Sequence, residues 1–273
     1  MDTKAFEQFL IVHKGLQPIT IRGYVTVIKK VLREMGTTTP THEEVESYVA
    51  GLYVSTYSYS HKMNSALALE QWMAFIGNPL RLGRQKKPKR IIQNTLTEAE
   101  ITKLIFNCKN VREQAIIALL AYSGLRNSEL CKLKLKDIDF GSNLVRVREG
   151  KGLKDGLMYI SSYCTTLLLK YLAAYPRTEE DYIFTTVRNH GRYSGQDLRK
   201  LIKVVSKRAK MTKRVYPHLL RHSLAVNMLN RGANIMTIKS QLRHSWIETT
   251  MLYVHSLGYG FKTEYERYAP SYI

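Results

Sequence analysis

Along the first eighty residues, apolar positions recur at intervals of three and four, the period of a helix with one buried face. Ile21, Tyr24, Val25, Ile28, Val31, Leu32 and Met35 trace one such stripe, and Gly36 follows it as a helix stop. Thr41 with Glu44 predicts a capping box, each side chain bonding the other residue's backbone N–H, ahead of a stripe of Val45, Tyr48, Val49 and Leu52. A third stripe includes Met63, Leu67 and Met73. Further on, Thr97 and Glu100 repeat the capping box, with Leu96 and Ile101 placed as its hydrophobic staple, and Val111 to Tyr122 reads as an apolar helix closed by Gly124. The period then changes. Leu144 to Glu149 alternates as a strand does, the turn Gly150-Lys151-Gly152 follows, and the shorter run Leu157 to Ile160 completes a hairpin with Lys151 at its tip. From Leu198 the pattern is helical again. These elements predict an α+β chain, mainly α with a small β component. A helical domain occupies residues 1–80, and a mostly helical second domain with a small antiparallel hairpin occupies residues 93–273.

Between them, residues 81–92 place Arg81, Arg84, Lys86, Lys87, Lys89 and Arg90 around Gly83 and Pro88, which discourage regular structure. The segment reads as a basic interdomain linker whose side chains are candidate DNA contacts; a solvated charged loop is the alternative. Charge sharpens that choice. The chain carries 42 Lys and Arg against 22 Asp and Glu, a formal net charge of +20, which points to a polyanionic partner, nucleic acid first and an anionic membrane surface second. No run of about 18 apolar residues occurs and the opening MDTKAFEQFL has no secretion-type apolar stretch, so a soluble, intracellular, cytoplasmic protein is expected. Cys108, Cys131 and Cys164 are odd in number and lack CxxC spacing, which suggests reduced thiols and no structural zinc.

Four clusters carry candidate chemistry. The first, Ser123-Gly124-Leu125-Arg126-Asn127-Ser128-Glu129-Leu130, puts an arginine just past a helix-stopping glycine. The second is the hairpin lysine, Lys151. In the third, Pro217 opens a helix on which His218 and Arg221, three apart, share a face and can converge on one anion. In the fourth, Leu242 to Tyr253, Ser245 with Glu248 forms another capping box, so that Tyr253 rides on a short helix beginning after His244. Around these, Glu129 reads either as the carboxylate orienting Arg126 or as a surface acid. His222 reads as a core or capping histidine, Lys154 as a DNA contact or a solvated side chain, and Trp246 as packing.

The clusters resemble the tyrosine recombinase, or lambda-integrase, family, most closely its compact Xer-like members. The motifs are GLRxSEL at Gly124 to Leu130, GKG at Gly150 to Gly152, HLLRHS at His218 to Ser223, and HS followed by TT and Tyr253. Each alone is a weak signal; together they fall in family order and at family-like spacing. Arg126 to Lys151 is 25 positions, Arg221 to His244 is 23 and His244 to Tyr253 is 9. The resemblance implies Tyr253 as nucleophile, with Arg126, Lys151, His218, Arg221 and His244 completing the site. It implies a helical core-binding domain that, with the catalytic domain, clamps double-stranded DNA. It also implies strand exchange between specific sites through a four-way junction, by a homotetramer that is monomeric in solution, with neither cofactor nor metal. Two features depart from the pattern. The family hairpin often reads GKGxKxR, whereas Gly156 stands where that arginine is expected, and the tail after Tyr253 is short.

The implied chemistry needs these residue types. Displacing a 5′-oxygen from a phosphodiester builds negative charge on the non-bridging oxygens, and planar guanidiniums such as Arg126 and Arg221 meet it with paired hydrogen bonds. His218 and His244 add donors, and one of them can accept the phenolic proton. A lysine on a hairpin can protonate the leaving oxygen. Two rivals use the same features: a type IB topoisomerase, and a catalytically silent DNA-binding protein on this scaffold.

Overall fold

The computed structural model describes residues 2–86, 88, 95–148, 156–186, 191–244 and 250–251. The chain divides into two units, Met1–Lys89 and Arg90–Ile273.

The first unit is helical: α1 (Thr3–Val12), α2 (Pro18–Met35), α3 (His42–Val54) and α4 (Tyr59–Phe75). Each boundary has a local cause. Pro18 sits in the first turn of α2, where its missing N–H is no loss, and Gly36 ends the helix at φ 73°, a left-handed value that favours glycine. Thr41 and Glu44 form both halves of the expected capping box on α3. Ile21, Val25, Ile28, Val31 and Leu32 turn inward and meet Phe6, Leu10, Leu69 and Trp72. The indole of Trp72 packs edge-on to Phe6 at 5.0 Å and donates to the Thr38 carbonyl at 3.0 Å, so a large apolar ring is buried with its one polar atom satisfied. On α4 the buried face differs from the expected stripe. Met63 and Met73 are buried, but Leu67 is only half-buried, and Ala66, Leu69 and Trp72 supply the rest of the core contact. Small residues let the other helices approach closely there, which a search for bulky apolar positions overlooks.

Residues 81–86 form neither helix nor strand. Leu82 is buried in this unit's core, and the Glu70 carboxylate accepts from the Leu82 amide at 2.7 Å and from the Arg84 guanidinium at 2.5 Å. Tyr53 donates to the Gly83 carbonyl at 2.7 Å. Arg81 and Lys86 are exposed, while Lys87, Lys89 and Arg90 lie outside the described residues.

The second unit contains α5 (Glu98–Phe106), α6 (Val111–Ser123), α7 (Asn127–Lys132), the strands β1 (Ile138–Asp139), β2 (Leu144–Val147) and β3 (Gly156–Tyr159), then α8 (Ser162–Ala174), α9 (Gly195–Arg208), α10 (Pro217–Asn230) and α11 (Ile235–Leu242). The strands make one antiparallel sheet in the order β1-β2-β3, with Val145 opposite Met158. The α+β class expected from the pattern is the class observed. Helix α6 is the central element. It packs on α5, α8 and α10, and Ile116, Ile117 and Leu120 on it are fully buried. The Thr97 and Glu100 capping box starts α5, with Leu96 and Ile101 both buried beside it. The expected hairpin arms are present as β2 and β3, and the turn that carries Lys151 lies outside the described residues, as does Lys154. Cys131 and Cys164 are buried and Cys108 half-buried, all as free thiols; burial pushes the Cys164 thiol up to about 12. Among the described residues no helix is long and apolar enough to cross a membrane.

Candidate active site

The end of α6 creates the first part of the site. Gly124 caps that helix at φ 71°, and a β-carbon there would lie 2.7 Å from Leu242 Cδ2, so both the backbone and its close neighbour demand glycine. The chain turns through buried Leu125 and presents Arg126 as the residue preceding α7. Glu129, one turn along, reaches back to it. Its Oε2 accepts from the Arg126 amide and its Oε1 from the Arg126 guanidinium, each at 2.7 Å. Glu129 is 8% exposed, which decides between its two sequence readings: it is a buried partner of Arg126, not a surface acid. Burial alone would raise its carboxyl, but the Arg126 hydrogen bonds and the charges of Arg243 and Arg126 hold it below the usual carboxylate range.

Arg221 comes from the opposite side. It lies on α10, is 4% exposed, and its guanidinium donates to the carbonyls of Gly124 and Leu242. Those are the carbonyls at the C-terminal ends of α6 and α11, where helices lack internal partners and carry partial negative charge. One cation thus ties two helix ends together at the place where Arg126 emerges.

The third component is His244. Its backbone N–H closes the end of α11 on the Lys239 carbonyl at 3.0 Å, and its Nδ1 lies 2.9 Å from Thr250 Oγ1. Burial first, then the charges of Arg221, Arg126 and His222, push the imidazole down to about 4. His222, which reads from sequence as a core or capping histidine, thus lies close enough to bear on His244. His218 is exposed on the same helix, its ring 6.5 Å from that of His222. Gln241 roots the hairpin here: its side-chain amide accepts from the Tyr159 N–H at 3.1 Å and donates to the Tyr159 carbonyl at 2.7 Å, tying β3 to α11. Arg126, Arg221 and His244 are thus brought together where α6, α10 and α11 meet, and His218 stands exposed on α10 beside His222; Lys151 and Tyr253 lie outside the described residues.

Two guanidiniums and an imidazole held near one another offer the kind of donors that suit an anion with hydrogen-bond demands, such as a phosphodiester. Among the described residues no group of three or more His, Cys, Asp or Glu is placed to hold a metal ion.

His244 makes a testable signature. Its proton is bound near pH 6.5 in an unfolded chain and only near 4 in the folded one, so the folded state binds fewer protons between those values. The stability contributed by neutral His244 is complete above about pH 6.5 and is lost as pH falls toward 4. NMR titration of the free protein should show this imidazole neutral down to about pH 4, with the value rising when duplex DNA brings a phosphate against it. Titration near 6.5 in the free protein contradicts the assigned environment.

Residues 94–258 match the phage integrase family. Tyrosine recombinase XerA of Pyrococcus horikoshii is 34% identical over 247 residues, covering 88% of this chain and 84% of the relative. A crystal structure of XerA recombinase superposes with a TM-score of 0.58 at 28% identity, over 99% of this chain and 98% of that one. The pre-cleavage complex of XerH site-specific recombinase bound to its difH substrate shares the fold, with a TM-score of 0.72 at 16% identity over 97% of this chain and 84% of that one.

Proposed function

The chain belongs to the phage integrase family and is a tyrosine site-specific recombinase, and from that premise we propose a division of labour among its residues. Tyr253 supplies the nucleophilic phenol. Its oxygen attacks the scissile phosphorus, the bond to the 5′-oxygen breaks, and the strand is held as a 3′-phosphotyrosine ester. Arg126 and Arg221 bind the non-bridging oxygens, on which charge grows in the transition state, and such preorganised donors are worth about 3 to 4 kcal/mol each. His244, neutral in the free protein, takes the phenolic proton, and His218 donates to the phosphate. Lys151, at the tip of the hairpin rooted by Gln241, gives a proton to the departing 5′-oxygen. The reverse sequence, with a 5′-hydroxyl from another duplex, seals the exchanged strands. No external energy source is needed, because the ester conserves the broken bond.

The observation that carries this reading is a geometric one: the Arg221 guanidinium bonds the carbonyl of Gly124, two residues before Arg126, and that of Leu242, two residues before His244, so groups far apart in sequence meet at one place. The basic chain, at a net charge of +20, supports double-stranded DNA as the partner, and XerH, a neighbour in fold, is bound to its DNA substrate. The helical unit of residues 1–80 serves as a core-binding clamp, residues 81–92 as a basic linker, and residues 93–273 as the catalytic domain. Within the linker, Arg81 and Lys86 present exposed cations to DNA, Lys87, Lys89 and Arg90 add charge, and Arg84 is braced by Glu70. Lys154 contacts DNA beside Lys151. Paired sites are held by a homotetramer that forms on DNA, inside the cell.

Incubation with labelled duplexes carrying the native flanking sites tests the reading. Recombinant products from two sites are expected; relaxation of a supercoiled plasmid without strand exchange would identify a type IB topoisomerase activity instead. For Lys151, replacing the bridging 5′-oxygen by sulfur removes the need for a proton, since thiolate leaves readily. Lys151→Ala should cleave the ordinary substrate poorly and the sulfur-bridged one at close to the unmodified rate. Rescue of Lys154→Ala and not of Lys151→Ala would transfer the acid role to Lys154.

A further inference from the structure

Arg243 stands at the centre of a contact that the site described so far leaves unexplained. Its backbone is left-handed, φ 50°, which is uncommon for a side chain of this size, and its side chain is 11% exposed. The guanidinium donates to Glu129 Oε2 at 2.6 Å. To reach it, the side chain passes over Gly156. A β-carbon at Gly156 would fall 2.2 Å from Arg243 Cδ and 3.2 Å from Cγ. The missing side chain at Gly156 is therefore the space that Arg243 occupies, and Gly156 is the position at which the resembling hairpins carry an arginine.

We propose that Arg243 is a positioning residue for Arg126, acting through Glu129, and that Gly156 exists to admit it. The inference rests on the reading of Arg126 as a phosphate-binding catalytic residue. Its logic lies in the two oxygens of one carboxylate. A carboxylate with both oxygens available pairs with a guanidinium through two parallel hydrogen bonds, which would turn the whole fork of Arg126 inward. Here Oε2 is taken by Arg243 and by the Arg126 amide, so that Oε1 alone holds the Arg126 side chain, through Nη1. Arg126 is fixed at one corner through Nη1, which leaves Nη2 and Nε to serve an anion. Arg243 supplies a second positive charge that keeps the buried carboxylate ionised beside the site.

A double-mutant cycle on the full chain tests this, reading single-turnover formation of the covalent DNA adduct at saturating duplex. Arg243→Gly suits the left-handed backbone and removes the guanidinium; Gly156→Ala leaves Arg243 in place but pushes it off Glu129. Each should slow adduct formation about tenfold with little change in DNA affinity, and the double variant should be no slower than Arg243→Gly alone, because the added methyl then has nothing to displace. Arg243→Lys, which keeps the charge, should recover part of the rate. A purely structural role would not depend on the charge of the substrate. On a duplex whose scissile non-bridging oxygen is replaced by methyl, the need for Arg126 declines, so the defect of Arg243→Gly should shrink together with that of Arg126→Ala. Losses that multiply in the double variant, or an Arg243→Gly defect equal on both substrates while that of Arg126→Ala shrinks, overturn the proposal and leave the role of Arg126 intact. Normal cleavage by Arg126→Ala overturns the reading beneath it as well.

Discussion

Tyr253→Phe is expected to leave no detectable covalent adduct while binding duplex DNA as the unmodified protein does. The substitution removes one oxygen and keeps the ring, so only the attacking atom is lost. Free phenol, with a pKa of about 10, is a poor nucleophile at neutral pH, and in the proposed mechanism the guanidiniums of Arg126 and Arg221 favour the phenolate that attacks. Of the residues proposed for the site, Tyr253 alone carries a hydroxyl. Electrophoretic mobility shift and denaturing gel electrophoresis on the same reaction separate the two readouts. A normal adduct from the Phe variant would place the nucleophile elsewhere; loss of binding would mean that the hydroxyl has a structural role.

The second large effect belongs to Arg221. Arg221→Ala should slow cleavage by about two to three orders of magnitude through loss of transition-state charge stabilisation. It should also lower stability, by a route that Arg126→Ala does not share, because the carbonyls of Gly124 and Leu242 then lose a buried donor. Each buried acceptor left unpaired costs about 1 to 3 kcal/mol. Arg221→Lys restores a cation but not a planar fork that can serve two helix ends and an anion, so it should recover stability more than rate. Thermal denaturation and single-turnover cleavage, measured on all three variants, check this. An Arg221→Ala protein with unchanged midpoint, or a Lys variant with full activity, would contradict the dual role.

Local signals made much of this fold legible in advance. Thr41 with Glu44 and Thr97 with Glu100 marked two helix starts, Gly36 and Gly124 two helix ends, and the α2 stripe its buried face, because caps and periodicity are properties of a few consecutive residues. Where the burial depended on distant partners, the pattern was silent. Leu67 sits half out of the core because small Ala66 and bulky Trp72 are the residues that meet neighbouring helices. Strand β1 has two residues, too few to alternate. At the site, the motifs singled out Arg126, His218, Arg221 and His244, but not what holds them. Nothing near Arg221 in sequence indicates that it serves two helix ends. Only the burial of Glu129 decides between its two roles, and its ion pair with Arg243 spans 114 positions. The sequence shows only that Gly156 stands where an arginine is expected, whereas the structure fills the space beside it with Arg243.

The central claim, that Tyr253 joins the chain to DNA through a 3′-phosphate, is tested most directly by locating the covalent bond. The unmodified protein is trapped on a duplex nicked close to the cleavage position, so that the released fragment diffuses away and religation fails. After denaturation, nuclease and protease digestion, mass spectrometry should find the nucleotide remnant on the peptide that contains Tyr253, attached through a 3′-phosphate, with a free 5′-hydroxyl on the released strand. Attachment to another residue, or linkage through a 5′-phosphate, would contradict the account.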